Sequence, residues 1–451
     1  MSGCDQPAAA DFLADPLDWL CTASRAGPVA VVSDTGPVLS HQETAVGAVG
    51  VFGPALVRRV LGDIETFAMP APISARHELP PPLANLSSAL FSMSGSLHRS
   101  RQQLLARLLG PAFAVDQDVA IDRGIEAFLP GWSPGREVGL IQEMRRLARC
   151  VAEQVLFGAD GNAAAGIGLA IQRYFGLRRC FASRSSPCEP AQLDALVEQG
   201  LLVDGLLRGR VQALLRARPG GATGVLGRLC QLTSDRSLGL SEDELVAHAC
   251  VLFMSSSEPI ATAMTWIMLA LSQHPEFRAD IRAEQRDPVA GTGSVRGVVR
   301  EVLRLVPPSA IMMRLTRRDV VLAGVLLPAL CEVIISPFVE HRRPDVFPEP
   351  HRLWPQRWLA GRVDAAHFIP FGGGARACLG RRVALATLER GTAVLLSAAD
   401  PVLAKPQWID WQMNVTLLPT TDPVMRLESP DGAPARGSIL SGPASDLLQR
   451  T

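Results

Sequence analysis

The sequence predicts a mainly α protein, a helical domain with a smaller β-rich lobe. Long segments repeat apolar residues at the spacing of a buried helix face, whereas strand-like runs are few and short. The chain has 451 residues, which is more than one small core can contain and suits a single large domain. We expect a polar N-terminal tail at 1–14, a folded domain at 15–427 and a flexible C-terminal tail at 428–451.

The composition excludes several protein classes. Apolar residues make up 47% and charged residues 20% of the chain, which is normal for a soluble globular protein. A formal net charge of zero gives no reason for a nucleic-acid or anionic-membrane partner. The start of the chain lacks the basic and apolar runs of a signal peptide, and its nine cysteines include no Cys-x-x-Cys pair. We therefore expect a soluble, cytoplasmic protein without a disulfide framework and without a membrane or nucleic-acid partner.

Apolar periodicity predicts helices at 56–61, 97–109, 141–157, 191–217 and 242–271. The last of these is apolar nearly all round, so it should be buried. Ser241 and Glu244 form a capping-box start for it. A run of serines followed by Glu258 and Pro259 interrupts its apolar stretch, so we do not expect it to cross a membrane.

Strand signals are fewer. We expect a strand pair at 28–33 and 48–52, strands at 320–323 and 333–335 flanking a Gly-Val-Leu-Leu-Pro turn, and an irregular Pro-, Arg- and Trp-rich meander at 337–370. The Ser-, Pro- and Gly-rich composition after Leu427 predicts disorder.

One segment carries the strongest chemical signal: Phe371-Gly-Gly-Gly-Ala-Arg-Ala-Cys378-Leu-Gly380, followed by an apolar helix. Glycines such as Gly372 and Gly380 let the backbone approach a large flat group closely. The N-terminal N–H groups of the following helix should stabilise Cys378 as a thiolate, which can bind haem iron. Arg376 is placed to neutralise a haem propionate. The plainer alternative is a glycine-rich loop around an inert, buried cysteine.

This segment matches the haem-binding signature Phe-x-x-Gly-x-x-x-Cys-x-Gly in full, and the chain thereby resembles the cytochrome P450 superfamily. Two further motifs follow in the family's order. Glu301-Val-Leu-Arg304 resembles the Glu-x-x-Arg of its K helix, and the later Pro-Gln-Arg357-Trp run resembles its Pro-x-Arg-aromatic motif. The resemblance covers roughly residues 15–425. It implies that Glu301, Arg304 and Arg357 form a buried structural ion cluster; a solvated i,i+3 pair is the alternative for the first two alone.

The resemblance also implies the groups that bind haem b. His98 resembles the propionate-binding histidine of the C helix, although Gln102 stands where the family usually has arginine; Arg101 or Arg107 could replace it. Arg314 aligns with another propionate-binding arginine. The alternatives are an ordinary surface histidine and a strand-edge arginine. With Cys378 as the iron ligand, the predicted cofactor-binding residues are Cys378, Arg376, Arg314, His98, Phe371, Gly372 and Gly380.

The long helix departs from the family pattern. An acid–alcohol pair usually relays protons to dioxygen there, but this chain keeps Glu258 and replaces the alcohol with Pro259. Pro259 cannot donate to the carbonyl of Ser255, so the helix should kink or open at that turn. We expect Ser255 or Ser256 to supply the missing hydroxyl; the alternative is that both bond back to helix carbonyls. The predicted catalytic residues are Glu258, Ser255, Ser256 and Pro259.

The resemblance predicts a soluble bacterial haem-thiolate monooxygenase that activates dioxygen to oxidise a small, mostly apolar substrate in secondary metabolism. It implies a separate ferredoxin-type electron donor and its reductase. Because the alcohol is lost, a peroxide-using or non-hydroxylating enzyme, catalysing coupling or desaturation, is one alternative. Fatty-acid peroxygenases of this superfamily also carry proline there, but with arginine in place of Glu258. The other alternative is a non-catalytic haem-binding or recruitment protein.

Substrate contacts are expected in five mainly apolar segments: 79–93, 173–181, 252–260, 310–313 and 417–421. The predicted substrate-binding residues are Ala310, Ile311, Met312, Met313, Phe91 and Leu90. Arg173, Arg178, Arg179 and Glu258 could hold a polar group of the substrate.

Overall fold

The computed structural model describes residues 9–39, 45–70, 80–158, 161–182, 190–217, 223–233, 239–287, 293–359, 363–413, 415–431 and 437–449. Its helices are α1 (Ala9–Ala14), α2 (Pro16–Ala26), α3 (Pro54–Gly62), α4 (Pro81–Asn85), α5 (Gly95–Leu108), α6 (Ala114–Phe128), α7 (Leu140–Phe157), α8 (Gly161–Ala182), α9 (Pro190–Arg216), α10 (Gly224–Thr233), α11 (Glu242–Gln273), α12 (Pro275–Arg286), α13 (Ser294–Leu305), α14 (Pro337–Glu340), α15 (Arg381–Ala398) and α16 (Pro443–Asp446). The five helices expected from apolar periodicity are all present, with ends within two residues of those expected.

The strands are short. They are β1 (Val29–Ser33), β2 (Gly47–Val51), β3 (Phe67–Ala68), β4 (Glu137–Gly139), β5 (Met312–Thr316), β6 (Val320–Leu322), β7 (Val325–Leu327), β8 (Cys331–Ile335), β9 (Asp400–Leu403), β10 (Gln407–Trp408), β11 (Trp411–Met413), β12 (Leu417–Pro419), β13 (Val424–Glu428) and β14 (Leu440–Ser441). The largest sheet has the order β1-β2-β8-β5-β3, and β4-β13-β9 forms a second sheet. The expected pairing of the first two strands is present and antiparallel.

The chain divides into two compact units. One comprises residues 1–76, 300–378 and 446–451 and contains the five-stranded sheet. The other comprises residues 77–299 and 379–445 and contains most of the long helices. The predicted fold class, mainly α with a smaller β-rich part, is confirmed.

The core of the β-rich unit follows the alternation of its central strands. Val333 and Ile335 of β8 point to one face of the sheet and join an apolar cluster with α3. Ile334 points to the other face and joins a cluster with α2. Because successive strand residues face opposite sides, a continuous apolar run such as Val-Ile-Ile is buried on both faces.

The long helix α11 forms the core of the helical unit. The capping box is present: the backbone N–H of Glu244 donates to Ser241 Oγ at 3.1 Å, and the Ser241 N–H donates to the Glu244 carboxylate at 3.2 Å. By length and apolar composition this helix resembles a membrane span, but 67% of its most apolar stretch is buried within the protein. A buried core helix meets the same criterion, so the resemblance is weak evidence for a membrane.

One strand prediction is wrong. Residues 320–322 pair with β7 rather than flanking a long turn with 333–335, and the tight turn between them has positive φ at Ala323 (47°) and Gly324 (84°). A two-residue turn with positive φ at both positions has a backbone twist that matches the twist of the two strands it joins. The run after Gly324 is itself a strand, with Leu327 buried and Leu326 exposed, so residues 333–335 are free to enter the main sheet.

Both predicted tails are ordered where the structure describes them. Phe12 is fully buried and packs edge-on against Trp19, with 5.6 Å between ring centroids. At the other end β14 pairs in parallel with β10, and Leu440 and Leu448 are buried. The structure therefore differs from the expected flexible tail over 437–449, because its few apolar side chains reach a core despite the polar composition around them.

Glu301 of α13 is the central acceptor of the β-rich unit. It is fully buried, and its carboxylate accepts from Arg304 (2.8 and 3.0 Å), Arg357 Nε (3.0 Å), the backbone N–H of Trp354 (2.9 Å) and Trp358 Nε1 (2.8 Å). A buried carboxylate is tolerated only when its charge is paired and its lone pairs are satisfied. The structure thus places the three predicted structural residues in one cluster.

Remaining donors of this cluster hold the irregular chain that leads to the cysteine loop. Arg304 Nη1 donates to the carbonyls of His341 (2.9 Å) and Pro350 (2.6 Å), and Arg357 Nη1 donates to Pro348 O (2.8 Å). The ring of His341 extends the cluster: its Nε2 accepts from the N–H of Ile369 at 2.9 Å, so its Nδ1 carries the proton and donates to Arg304 O at 3.1 Å. No sequence motif pointed to His341.

We predict that Glu301→Ala lowers the free energy of unfolding by about 3–5 kcal/mol, because two buried guanidinium groups lose their counter-charge. Urea unfolding followed by circular dichroism measures this change. Asp345→Ala is the matched control. Asp345 pairs with Arg343 at 2.8 Å, but its side chain is 59% exposed, so its loss should cost less than about 1 kcal/mol. Equal effects of the two substitutions would contradict a structural role for the cluster.

Candidate active site

The cysteine loop of the β-rich unit is held by tight turns. Gly372 and Gly374 have positive φ values of 68° and 64°, and a short 3-10 turn spans Gly374–Arg376. The N–H of Cys378 donates to the carbonyl of Phe371 at 2.9 Å, which closes the loop. A side-chain Cβ at Gly374 would collide with the carbonyl oxygen of Leu61 in α3. Glycine is therefore required at this position both by backbone conformation and by space.

Cys378 differs from the other cysteines that the structure describes. Its side chain is exposed, whereas the others are buried or half-buried. Burial raises the pKa of the Cys230 thiol to about 11 and that of the Cys250 thiol to about 12, which leaves those thiols unreactive. α15 begins at Arg381 with Gly380 as its N-cap, at a φ of −82° that any residue adopts. The alternative of an inert, buried cysteine does not fit this loop.

Arg314 is a buried cation in the same unit. Its Nη1 donates to Met313 O at 2.8 Å and contacts Met69 Sδ at 3.3 Å. Its Nε has no hydrogen-bond partner, and within the described ranges no carboxylate lies at ion-pair distance from it. Desolvation, with repulsion from Arg376, lowers the Arg314 pKa to about 10. A buried guanidinium in this state requires an anion that the described protein groups do not provide.

These features fit haem. An accessible thiol suits iron, and the glycines at 372 and 374 allow close approach to the loop backbone. Arg314, with its unsatisfied Nε, and Arg376 beside it suit the two propionates. Desolvation also lowers the Arg376 pKa.

The predicted substrate residues of the β-rich unit are mostly packed against its core. Ala310 is buried, Ile311 packs against the cluster beside α2 and Met312 against the cluster beside α3. Met313 is half-buried. Ile311 and Met312 are thus partly buried, and contact with substrate stays a prediction for all four.

In the helical unit, the serines of α11 bond back to their own helix. Ser255 Oγ donates to Val251 O, and Ser256 Oγ donates to Phe253 O at 3.0 Å. Both hydroxyl protons are thus engaged, which favours the back-bonding alternative over a serine relay. The helix also runs through Pro259 without interruption, so the expected opening at that turn does not break the helix. Packing of Ile260 and its successors on all sides holds the turn in place.

Glu258 is paired with Arg145 of α7, a partner that no sequence motif indicated. Arg145 donates from Nη2 to Oε1 at 2.6 Å and from Nε to Oε2 at 3.2 Å. Both residues line a cavity of about 320 Å³. Its other lining residues are Ile141, Gln412, Val415, Thr416, Leu418, Pro419, Thr420, Thr421 and Asp422. The structure thereby joins two of the expected substrate segments, 252–260 and 417–421, around an acid.

His98 of α5 is buried, so it is not the ordinary surface histidine of the alternative. Arg101 is engaged by Glu244 through hydrogen bonds of 2.9 and 3.1 Å, and Arg107 is exposed. Neither arginine is therefore a simple replacement for the family arginine absent at Gln102. Haem binding by His98 remains a prediction.

The expected substrate segment 79–93 contacts α11 through Ala89. Ala89 packs against Ala247 and Val251 of α11. Phe91 is 57% exposed and Leu90 is half-buried. Ser87 accepts a hydrogen bond from Arg178 of α8 at 3.1 Å, which joins this segment to a second expected one, 173–181. The side chain of Arg179 lies outside the described residues.

Known proteins share both the sequence pattern and the fold. A cytochrome P450 family profile matches residues 225–399. Cyclooctatin synthase of Streptomyces melanosporofaciens is 28% identical over 360 residues, which cover 72% of this chain and 74% of the relative. The chain is thus similar in sequence and in fold to the cytochrome P450 superfamily. Retinoic acid bound cyanobacterial CYP120A1 has the same fold, with a TM-score of 0.75 over 93% of this chain and 96% of that chain at 23% identity.

One relative is named as an oxidative enzyme. Cyclooctat-9-en-7-ol 5-monooxygenase of Streptomyces melanosporofaciens is 28% identical over 363 residues, which cover 74% of this chain and 75% of the relative. The predicted class of haem-thiolate monooxygenase is thereby supported.

We predict that Arg314→Met leaves the haem-free protein equally or more stable, because a buried cation without a carboxylate partner is replaced by apolar volume. Haem loss should be faster by about 10–100-fold, since hydrogen bonds to charged groups contribute about 1.5–3 kcal/mol. Transfer of haem to apomyoglobin and thermal melts of the haem-free protein measure the two effects. Arg58→Met, at an exposed arginine of α3, is the control. Unchanged haem loss would remove Arg314 from the haem site.

Proposed function

We propose that this chain is a cytochrome P450 monooxygenase that uses haem b and dioxygen to oxidise a small, mostly apolar organic molecule. The observation that carries the proposal is the loop of Cys378. The thiol is exposed on a glycine turn that packs against α3. The preceding chain is fixed by the buried Glu301 cluster. Such rigidity presents one sulfur ligand in one orientation.

The three residues that we assign to haem binding would have separate tasks. Cys378 would ligate the iron, and Arg314 and Arg376 would bind the propionates. When bound, haem supplies the oxygen activation and insertion that amino-acid side chains cannot perform. The protein contributes positioning, exclusion of water and the supply of protons.

Glu258 is the residue that we assign to proton supply. Arg145 donates to both of its oxygens, and each carboxylate oxygen keeps a second lone pair for a further hydrogen bond. The cavity beside it carries Thr416, Thr420 and Thr421, whose hydroxyls suit ordered water. We therefore place the proton source in this cavity and not in Ser255 or Ser256.

Other parts of the proposal rest on the family. Electrons would come from a ferredoxin-type protein and its reductase, and the enzyme would act in the cytoplasm. The Streptomyces relatives, one named as a monooxygenase of cyclooctat-9-en-7-ol, support an apolar intermediate of secondary metabolism as substrate.

A second candidate is a peroxide-driven or non-hydroxylating enzyme. Pro259 replaces the usual alcohol, and both neighbouring serine hydroxyls are engaged by helix carbonyls. Peroxide brings oxygen together with its protons, so it would make a relay unnecessary. The two candidates differ in their dependence on Glu258.

We predict that Cys378→Ser abolishes the absorption band that marks a thiolate-bound, reduced carbon monoxide complex, because a neutral hydroxyl replaces the thiolate donor. Cys21→Ser is the control, since that half-buried thiol lies outside the loop. A normal thiolate spectrum in the Cys378 variant would overturn the proposed function.

We predict that Glu258→Gln lowers dioxygen-dependent product formation per reductant consumed by about 10²-fold, at the lower end of general acid contributions. Peroxide-driven turnover should change much less. The double variant Ser255→Ala/Ser256→Ala should stay within a few-fold of wild type, because its hydroxyls serve the helix. Glu143→Gln removes a comparable pair with Arg146 on α7 (2.6 Å) and serves as control. Wild-type coupling in Glu258→Gln would favour the second candidate.

A further inference from the structure

Arginines in the helical unit are usually paired with acids. Arg101 pairs with Glu244 at 2.9 Å and Arg145 with Glu258 at 2.6 Å. Further pairs are Arg146–Glu143, Arg149–Glu153, Arg208–Asp204, Arg228–Asp116, Arg282–Asp400, Arg382–Asp118 and Arg390–Asp122. Half-buried Arg178 of α8 departs from this pattern. Its hydrogen bond goes to the neutral hydroxyl of Ser87, and among the described residues it has no carboxylate partner.

Aromatic rings take the place of an acid beside Arg178. Its guanidinium carbon lies 5.8 Å from the ring centroid of Tyr174 and 5.4 Å from that of Phe175. Ring faces attract a cation but accept no strong hydrogen bond. Most donors of the guanidinium fork therefore remain for another acceptor, which water or a ligand can provide.

Tyr174 is the second unsatisfied group. It is the one tyrosine of the sequence, and its side chain is fully buried. Its hydroxyl has no hydrogen-bond partner within the described part of the chain, although buried polar groups in proteins are normally paired. Burial raises the pKa of the phenol to about 12, so the group stays protonated and is a hydrogen-bond donor at neutral pH.

Both groups lie beside α11. Cys250 of α11 is close enough to Tyr174 to perturb its ionisation. Ser87, the partner of Arg178, belongs to the segment whose Ala89 packs on α11. Cys250 precedes Glu258 by eight residues, which is about 12 Å along a helix at 1.5 Å per residue. A donor pair thus stands about two turns from the acid assigned to proton supply.

We propose that Tyr174 and Arg178 form a recognition subsite for a carboxylate, and that the substrate is an apolar molecule bearing one carboxylic acid group. A neutral O–H donor and a guanidinium without a counter-ion suit an anionic oxygen acceptor better than an alcohol. The aromatic and aliphatic surroundings suit the apolar remainder. This inference rests on the proposed function, because it names the substrate class of that enzyme.

The test compares acids with alcohols on the same carbon skeleton in the haem-loaded protein. The probes are dodecanoic acid with dodecan-1-ol and farnesoic acid with farnesol, titrated by the Soret shift. We expect each acid to bind at least about 10-fold more tightly than its alcohol. Arg178→Gln and Tyr174→Phe should each reduce this preference several-fold. Arg123→Gln, at an exposed arginine of α6, should leave it unchanged. Equal binding of acid and alcohol, or no binding by either pair, would overturn the subsite.

A second measurement reads the hydroxyl directly. Because Tyr174 is the sole tyrosine, labelling with tyrosine carrying ¹³C at Cζ gives a single NMR signal, observed in the diamagnetic ferrous carbon monoxide form. The signal should move during titration with the acids and stay still with the alcohols. A still signal during acid binding would overturn the role of Tyr174. A normal thiolate spectrum without acid preference would reject the subsite alone, whereas loss of that spectrum in the wild-type protein would reject the proposed function.

Discussion

The carboxylate of Glu301 is the constraint on which the cysteine loop depends. Two guanidinium groups, an indole N–H and a backbone N–H converge on it in a site without solvent. Such a cluster adds little net stability over apolar packing, but any misplaced partner leaves a buried charge unpaired. It therefore selects one path for the irregular chain between α14 and Phe371. The cluster thereby holds the chain that leads to Cys378.

Both ligand-binding regions that we assign contain an arginine without a carboxylate partner among the described residues. Many half-buried arginines here have an acid of their own, whereas Arg314 and Arg178 have no carboxylate partner among the described residues. Arg314 in the β-rich unit and Arg178 in the helical unit each face apolar or aromatic groups in place of a carboxylate. Unpaired charge is costly in a protein interior. We therefore assign Arg314 to the cofactor and Arg178 to the substrate.

The sequence predicted best where local rules decide the structure. The capping box of α11, the apolar helix faces and the glycine-cysteine signature are local patterns, and the structure contains each of them. Pairings across long separations were not visible. Arg145 is one of three arginines within one turn of α7, and nothing local distinguishes the one that meets Glu258, 113 residues later. The prediction of a flexible C-terminal tail was wrong over 437–449 for a related reason. Composition does not show that Leu440 and Leu448 pack into a core.

The neutral ring of His341 makes the cysteine loop acid-labile. Burial, with repulsion from Arg304, lowers its pKa from about 6.5 to about 3, and a protonated ring would lose its hydrogen bond from Ile369. The unfolded chain binds this proton more readily than the folded one, so stability rises with pH between these two values. The stabilisation is complete above pH 6.5 and is lost steadily as the pH falls towards 3. Acidification therefore weakens a contact that holds the segment leading to Cys378.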